Sequence, residues 1–205
     1  MSTTPELSRQ QLIDLLRDLG ISTDRLPDAL ALAEHVHGAQ RRAGGGPYLE
    51  EHVYPITADV ARYLAGADPV DAHDAALIAI LHDTIEDSTD VTAADLADRF
   101  GPVVASGVET LSKPSKRAGQ TMSDDGPQEA RYVAGVAAAP RDVRVVKVFD
   151  RLNNLSAVHE RPLEKRQQYL AETRAYYLDL ARGVDSGLAQ RMTDLLEAQD
   201  QMVNA

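Results

Sequence analysis

The chain has 205 residues, a formal charge of −11, 43% hydrophobic and 26% charged residues, and no cysteine. That balance fits one globular domain with a real core, and it excludes disulfides and thiolate metal sites, so any metal must be held by nitrogen and oxygen. The negative charge argues against a nucleic-acid binder, which needs basic surface to displace phosphate counterions, but a local Arg and Lys cluster can still serve a small anionic ligand.

From Met1 to Gln11 there is neither a charged leader nor an apolar signal core, and no apolar run reaches the roughly 18 residues of a membrane helix. The expectation is a soluble cytoplasmic protein. Leu7 to Leu19 places Leu12, Leu15, Leu16 and Leu19 on a helical face, with Gly20 as its C-cap. A second helix is expected over Pro27–Arg42, broken by Gly44-Gly45-Gly46-Pro47, and a third over Val53–Ala65, ending at Gly66. Asp68-Pro69 opens a central helix whose run Ala75–Leu81 has the composition of a buried segment. Thr92 and Asp95 form a capping-box pattern ahead of Leu96 and Phe100, and Gly101-Pro102 separates that helix from Val103–Leu111.

Lys113–Pro127 is polar and aperiodic, and reads as a mobile loop long enough to serve as a lid. Helices are expected again at Gln128–Ala138, Asp142–Val158, Pro162–Arg182 and Asp185–Met202. The β-branched run Val143–Phe149 could form a strand, but its flanks favour helix. No strand, repeat or Gly-rich phosphate loop emerges, so the fold class is an all-α, multi-helix single domain. It is expected to span 27–183, with a helical extension over 1–26 and a C-terminal helix over 184–205. That last helix would either close the domain or form the face of a homodimer.

The richest segment is His82-Asp83-Thr84-Ile85-Glu86-Asp87, at the end of the apolar run. Adjacent His and Asp can reach one cation through nitrogen and oxygen, and Glu86 and Asp87 return to the same side about one helical turn later. By itself the segment reads equally well as a solvated polar helix end. Three further polar segments interrupt apolar helices: His37-Gly-Ala-Gln40-Arg41-Arg42, Pro47-Tyr48-Leu-Glu50-Glu51-His52, and Lys147-Val-Phe-Asp150-Arg151-Leu-Asn153-Asn154.

In order and spacing these segments resemble the HD-superfamily hydrolase domain of the RelA/SpoT alarmone enzymes, and still more the stand-alone small alarmone hydrolases, over about Leu30 to Arg182. The resemblance implies a divalent metal, usually manganese, on His52, His82, Asp83 and Asp150. It implies Glu86 and Asp87 as the acidic pair that positions and deprotonates the attacking water, and Asn154 near that water. Arg42 matches a basic residue facing the nucleotide, and Lys113, with Lys116 or Arg117, would screen the anionic substrate. The implied activity is pyrophosphohydrolysis of (p)ppGpp to GDP or GTP, with no room in the chain for a synthetase region.

Three departures from the family pattern stand out. The histidine is four residues after Tyr48 rather than three, and Glu51 occupies the usual position, so His52 is the expected ligand and Glu51 the alternative. Ala43 stands where a second basic residue is typical, and Leu155-Ser156-Ala157 replaces a Met/Leu-Arg-Thr run. These changes keep open two other functions: an HD-type phosphohydrolase acting on another nucleotide (deoxynucleotide, cyclic nucleotide or NADPH), and a silent nucleotide sensor. His37 reads as structural and satisfied by Gln40, Arg41 as solvated, and Tyr48 as core packing with a bonded hydroxyl. His35, His73 and His159 take no role.

Overall fold

The structure, a computed structural model, describes residues 6–21, 24–65, 69–113 and 126–203. Among the described residues it is helical with no strand; its sole bridge, Arg41 to Pro47, closes the loop after the second helix. The helices are α1 (Arg9–Asp18), α2 (Leu26–His37), α3 (Tyr54–Ala65), α4 (Pro69–Leu81), α5 (Thr84–Asp87), α6 (Ala93–Phe100), α7 (Pro102–Leu111), α8 (Gly126–Ala137), α9 (Arg141–Ser156), α10 (Leu163–Glu172), α11 (Leu178–Val184) and α12 (Ser186–Val203).

The ends follow local chemistry. Ser8 caps α1 with Gln11 in a reciprocal capping box, and Thr92 does the same for α6 with Asp95. Gly20 leaves α1 at φ +72°, and the Ile21 N–H returns to the Leu16 carbonyl at 2.8 Å, the six-to-one bond of a Schellman ending. Asp185 takes the N–H groups of Gly187 and Leu188 and starts α12.

The core is built around α4. From Ala72 to Leu81 its described alanines, leucines and isoleucines are all buried, as expected of a helix apolar on every side. Helices α2, α3, α7 and α9 pack around it. Both chain ends contribute to the same core, through Leu12 and Leu16 of α1 and Met192 and Leu196 of α12.

Several boundaries differ from the sequence expectation. The second helix stops at His37 rather than Arg42, because the chain turns at Gly38 and folds back through Gly45, at φ +90°, to pair Arg41 with Pro47. The segment expected as one helix over Pro162–Arg182 is divided by a wide π turn at Thr173–Tyr177. A second π turn, Leu49–Val53, leads into α3. The Val143–Phe149 run is helical within α9, and α9 ends at Ser156 before a 3₁₀ turn at Val158–Glu160. The expected ending at Gly66 and most of the suspected lid, 114–125, lie outside the described residues.

Gly107 lets α7 approach α4 and α9. A Cβ there would come within 2.6 Å of Ile78 Cδ1 and 3.3 Å of Val143 Cγ2. Gly107→Val should therefore overpack this junction and cost about 1–3 kcal/mol. Urea unfolding checks this as a lower midpoint at unchanged slope.

Candidate active site

Two helices supply the centre of the site. The buried helix α4 ends at Leu81, and the Thr84 hydroxyl bonds the Leu81 carbonyl at 2.7 Å, so the chain turns and presents His82 and Asp83 before α5 begins. From α9, Asp150 enters from a largely buried run that includes Val148, Phe149, Arg151 and Leu152. The π turn brings in His52, with the Tyr54 N–H reaching back to the Leu49 carbonyl. This turn takes up the extra residue between Tyr48 and the histidine, since a π turn holds one residue more than an α turn. His52 is 1% exposed, whereas the Glu51 carboxylate lies against Gly46, where a Cβ would collide with it.

The donors of His52, His82 and Asp83 lie within 4.8 Å of one another. His82 Nε2 is 3.0 Å from Asp83 Oδ2, and His52 Nε2 is 3.5 Å from the same oxygen and 3.6 Å from Asp150 Oδ1. Both imidazoles use their other nitrogen elsewhere: His82 Nδ1 on the Ala79 carbonyl at 2.8 Å, His52 Nδ1 on Asn153 Oδ1 at 2.7 Å. Carbonyl acceptors hold a proton on Nδ1 of each ring, so Nε2 is the nitrogen that faces the carboxylates and is placed to bind a cation. The carboxylates are held in turn. The Tyr48 hydroxyl donates to Asp83, Lys147 Nζ lies 2.9 Å from Asp150 Oδ2, and Asn154 Nδ2 donates to Asp150 Oδ1 at 2.6 Å.

A divalent cation suits this donor set. His82 Nε2 is buried and, although close to Asp83, is not aligned for a hydrogen bond. Burial lowers the pKa of His82, but Asp83 and Asp150 override it and push the value up to about 9. Burial prevails at His52, which stays lowered, helped by repulsion from His82. Asp83 and Asp150 are both held below the usual carboxylate range against burial, Asp83 mainly by His82 and Asp150 mainly by Lys147. The cluster draws positive charge into a buried space, and two imidazoles with two carboxylates offer nitrogen and oxygen ligands of borderline-to-hard character.

The two acids expected to face the same way diverge. Glu86 is buried and accepts the backbone N–H of Lys113. Asp87 keeps a third of its side chain exposed and accepts Gln40 Nε2 at 3.3 Å. Gln40 also takes the His37 ring at 2.9 Å, so one amide ties His37 to Asp87, and the His37 ring lies beside Tyr48. Arg42 donates to Asn153 Oδ1 at 3.1 Å, and Arg161 donates to Asn154 Oδ1 at 3.2 Å.

Lys113 directs its ammonium to Glu129 at 2.6 Å and lines a cavity of about 370 Å³ with Arg151, Arg161, Lys165 and Tyr169. Arg161 thus joins that basic cavity to the Asn154 end of the cluster. Ser156 lines a different cavity, behind α9, of about 530 Å³.

Sequence reading left Asn153, Lys147, Arg161 and Lys165 without roles. Lys147 precedes Asp150 by three residues and meets it, a readable helical-spacing signal, whereas Asn153 turns to Glu51, His52 and Arg42, which local spacing does not give. Arg161 and Lys165 depend on how α10 returns, which no local pattern encodes. Glu129 is a further case: it pairs with Lys113 and accepts the Tyr177 hydroxyl at 2.5 Å. Glu129→Leu removes the carboxylate beside the buried Lys113 ammonium and should cost about 3–5 kcal/mol, seen as a lower denaturant midpoint.

The HD domain family model matches residues 29–185. The guanosine-3′,5′-bis(diphosphate) 3′-pyrophosphohydrolase of Aquifex aeolicus (strain VF5) is 31% identical over 182 residues, covering 88% of this chain and 25% of that protein. The GTP pyrophosphokinase rsh of Brucella ovis is 35% identical over 158 residues, covering 76% of this chain and 20% of its own length. The chain therefore spans a quarter or less of these relatives. A solved structure described as a metazoan ortholog of SpoT that hydrolyzes ppGpp matches with a TM-score of 0.68 at 20% identity, covering 87% of this chain and 97% of that one. That likeness concerns the fold. With the family model running from α2 through α11 and the His82-Asp83 pair at the centre of the cluster, this chain belongs to the HD domain family.

Proposed function

We propose that this chain is a manganese-dependent pyrophosphohydrolase that removes the 3′-diphosphate of (p)ppGpp. The observation that carries the reading is the convergence of His52, His82, Asp83 and Asp150, joined through Asn154 and Arg161 to a basic cavity. His52, His82, Asp83 and Asp150 would hold the metal, which when bound lowers the pKa of an attacking water from 15.7 to about 7. Asp87 is the acid that solvent reaches, and it takes the proton; Glu86, fixed by the Lys113 N–H, orients the nucleophile. Asn154 holds Asp150 Oδ1 and carries the Arg161 guanidinium toward the phosphates. Arg161 and Lys165 supply positive charge from the cavity wall and Arg42 from beside Asn153, while Lys113, paired with Glu129, shapes the wall. In-line attack on the phosphorus bound to the 3′ oxygen breaks that P–O bond, releasing intact pyrophosphate and GDP or GTP. The homologues named for this reaction support the same substrate.

A second reading keeps the site and changes the nucleotide. It is favoured by Ala43, exposed on the substrate-side loop where relatives place a second cation. A nucleotide panel with pyrophosphate and orthophosphate detected separately tests both: early pyrophosphate from (p)ppGpp supports the first reading. Early orthophosphate from a nucleoside monophosphate, with (p)ppGpp untouched, selects the second.

Asp83→Ala removes an oxygen donor and a negative charge from the centre, so metal content by elemental analysis should collapse. Asp87→Asn should keep metal and fold while lowering kcat at least about 10²-fold, the scale of general-base loss.

A further inference from the structure

We infer that Asn153 is a positioning residue for the metal centre, fixing the tautomer and ring plane of His52 through an amide that cannot turn over. This rests on the reading of His52 as a ligand, and goes beyond it by assigning a residue that contacts neither metal nor substrate.

The amide is held at both ends. Asn153 Nδ2 donates to the Glu51 carbonyl at 3.1 Å, and Oδ1 accepts from Arg42 Nη1 at 3.1 Å. A flipped amide would face Arg42 with a donor and Glu51 with an acceptor, losing both bonds. Oδ1 is thereby committed to the His52 side, where Nδ1 lies 2.7 Å away. An acceptor at that distance requires Nδ1 to carry the proton, so the lone pair of Nε2 points at Asp83 and Asp150. The backbone bond from Ala79 does the same for His82.

A neutral carbonyl also suits the charge balance. A carboxylate is the common partner of a metal-ligating histidine, but this cluster already contains Asp83 and Asp150, and a third nearby anion would add repulsion in a buried space. The support also crosses elements. Asn153 is on α9, Glu51 and His52 on the π turn, and Arg42 on the loop closed by Arg41 and Pro47. One side chain thus ties the inserted turn to the helix that carries Asp150.

The test is Mn²⁺ titration of the chelator-stripped full chain by calorimetry, with urea unfolding as the check on fold. Asn153→Leu keeps the size and loses the acceptor, and should weaken Mn²⁺ binding by 10- to 100-fold, the usual effect of removing such a partner. Asn153→Asp keeps an acceptor for Nδ1 but adds the third anion and loses the Glu51 bond, so its Mn²⁺ affinity should fall between those of Asn153→Leu and wild type. In ¹⁵N spectra of the metal-free protein His52 should appear as the Nδ1–H tautomer, and Asn153→Leu should mix in the Nε2–H form. If Asn153→Leu fails to fold, Asn153→Ala carries the same expectation. Wild-type Mn²⁺ affinity in the folded Leu or Ala variant, with His52→Ala still losing the metal, overturns the inference and leaves the proposed function standing. Wild-type affinity in His52→Ala overturns the ligand assignment on which both rest.

Discussion

Two carboxylates, Asp150 buried and Asp83 largely so, held against two buried imidazoles govern this fold. Asp83 enters from the turn after α4 and Asp150 from α9, and each must be compensated where it stands, because a buried charge without partners is too costly to keep. Asp83 is compensated by the Tyr48 hydroxyl and His82, and Asp150 by Lys147 and Asn154. Removing these partners would leave the end of α4 and the middle of α9 repelling each other across the core. The compensation is incomplete by design, since His82 Nε2 is without a hydrogen bond and the cluster raises the proton affinity of that ring. A helix bundle that only needed to be stable would place leucine at these positions.

A second polar layer ties the centre to α8. The ammonium groups of Lys147 and Lys113 lie 5.1 and 5.3 Å from the Tyr132 ring centroid. Two cations share one aromatic face partner, and each is balanced by its own anion, Asp150 for Lys147 and Glu129 for Lys113. Tyr177 completes the layer by bonding Glu129 and stacking on Arg151, whose guanidinium carbon is 3.9 Å from its ring centroid. Glu86, on the Lys113 N–H, is therefore positioned by the same network that holds Asp150. Glu86 and Asp150 are linked without touching.

Much of this was legible in the sequence. The all-helical fold, the buried central helix, the Gly20 ending of α1 and the capping box of α6 follow from local periodicity and from residues that cap their own backbone. A buried apolar run ending in His82-Asp83 is physically unusual and marks that pair, whereas His52 and Asp150 follow only from the resemblance of the ordered segments to the alarmone hydrolases. Less legible was anything set by how distant segments return. The spacing of Glu86 and Asp87 suggested a shared side, but α5 is a single turn, so one acid enters the core beside Lys113 while the other meets Gln40 near solvent. Asn153 stood in a motif already noticed, yet its role depends on Glu51 and Arg42, which lie some hundred residues earlier.

The two π turns show why spacing rules fail where they do. An α-helix advances about 100° per residue, so one inserted residue in a regular helix would rotate His52 away from Asp83. A single wide turn absorbs the insertion locally: Glu51 swings toward Gly46, and His52 remains beside Tyr48 at 4.7 Å between ring centroids. The turn at Thr173–Tyr177 works the same way for the second layer. Thr173 Oγ1 accepts two bonds from Arg151, at 2.8 and 3.0 Å, while Tyr177 at the other end of the turn stacks on the same guanidinium. In both places a weakened stretch of helix sets side chains around a charge that a regular helix would miss, and π turns are frequent at functional sites. The loss of regular hydrogen bonding is tolerable because the neighbours that gain position, His52 and Arg151, are each fixed by side-chain or carbonyl acceptors.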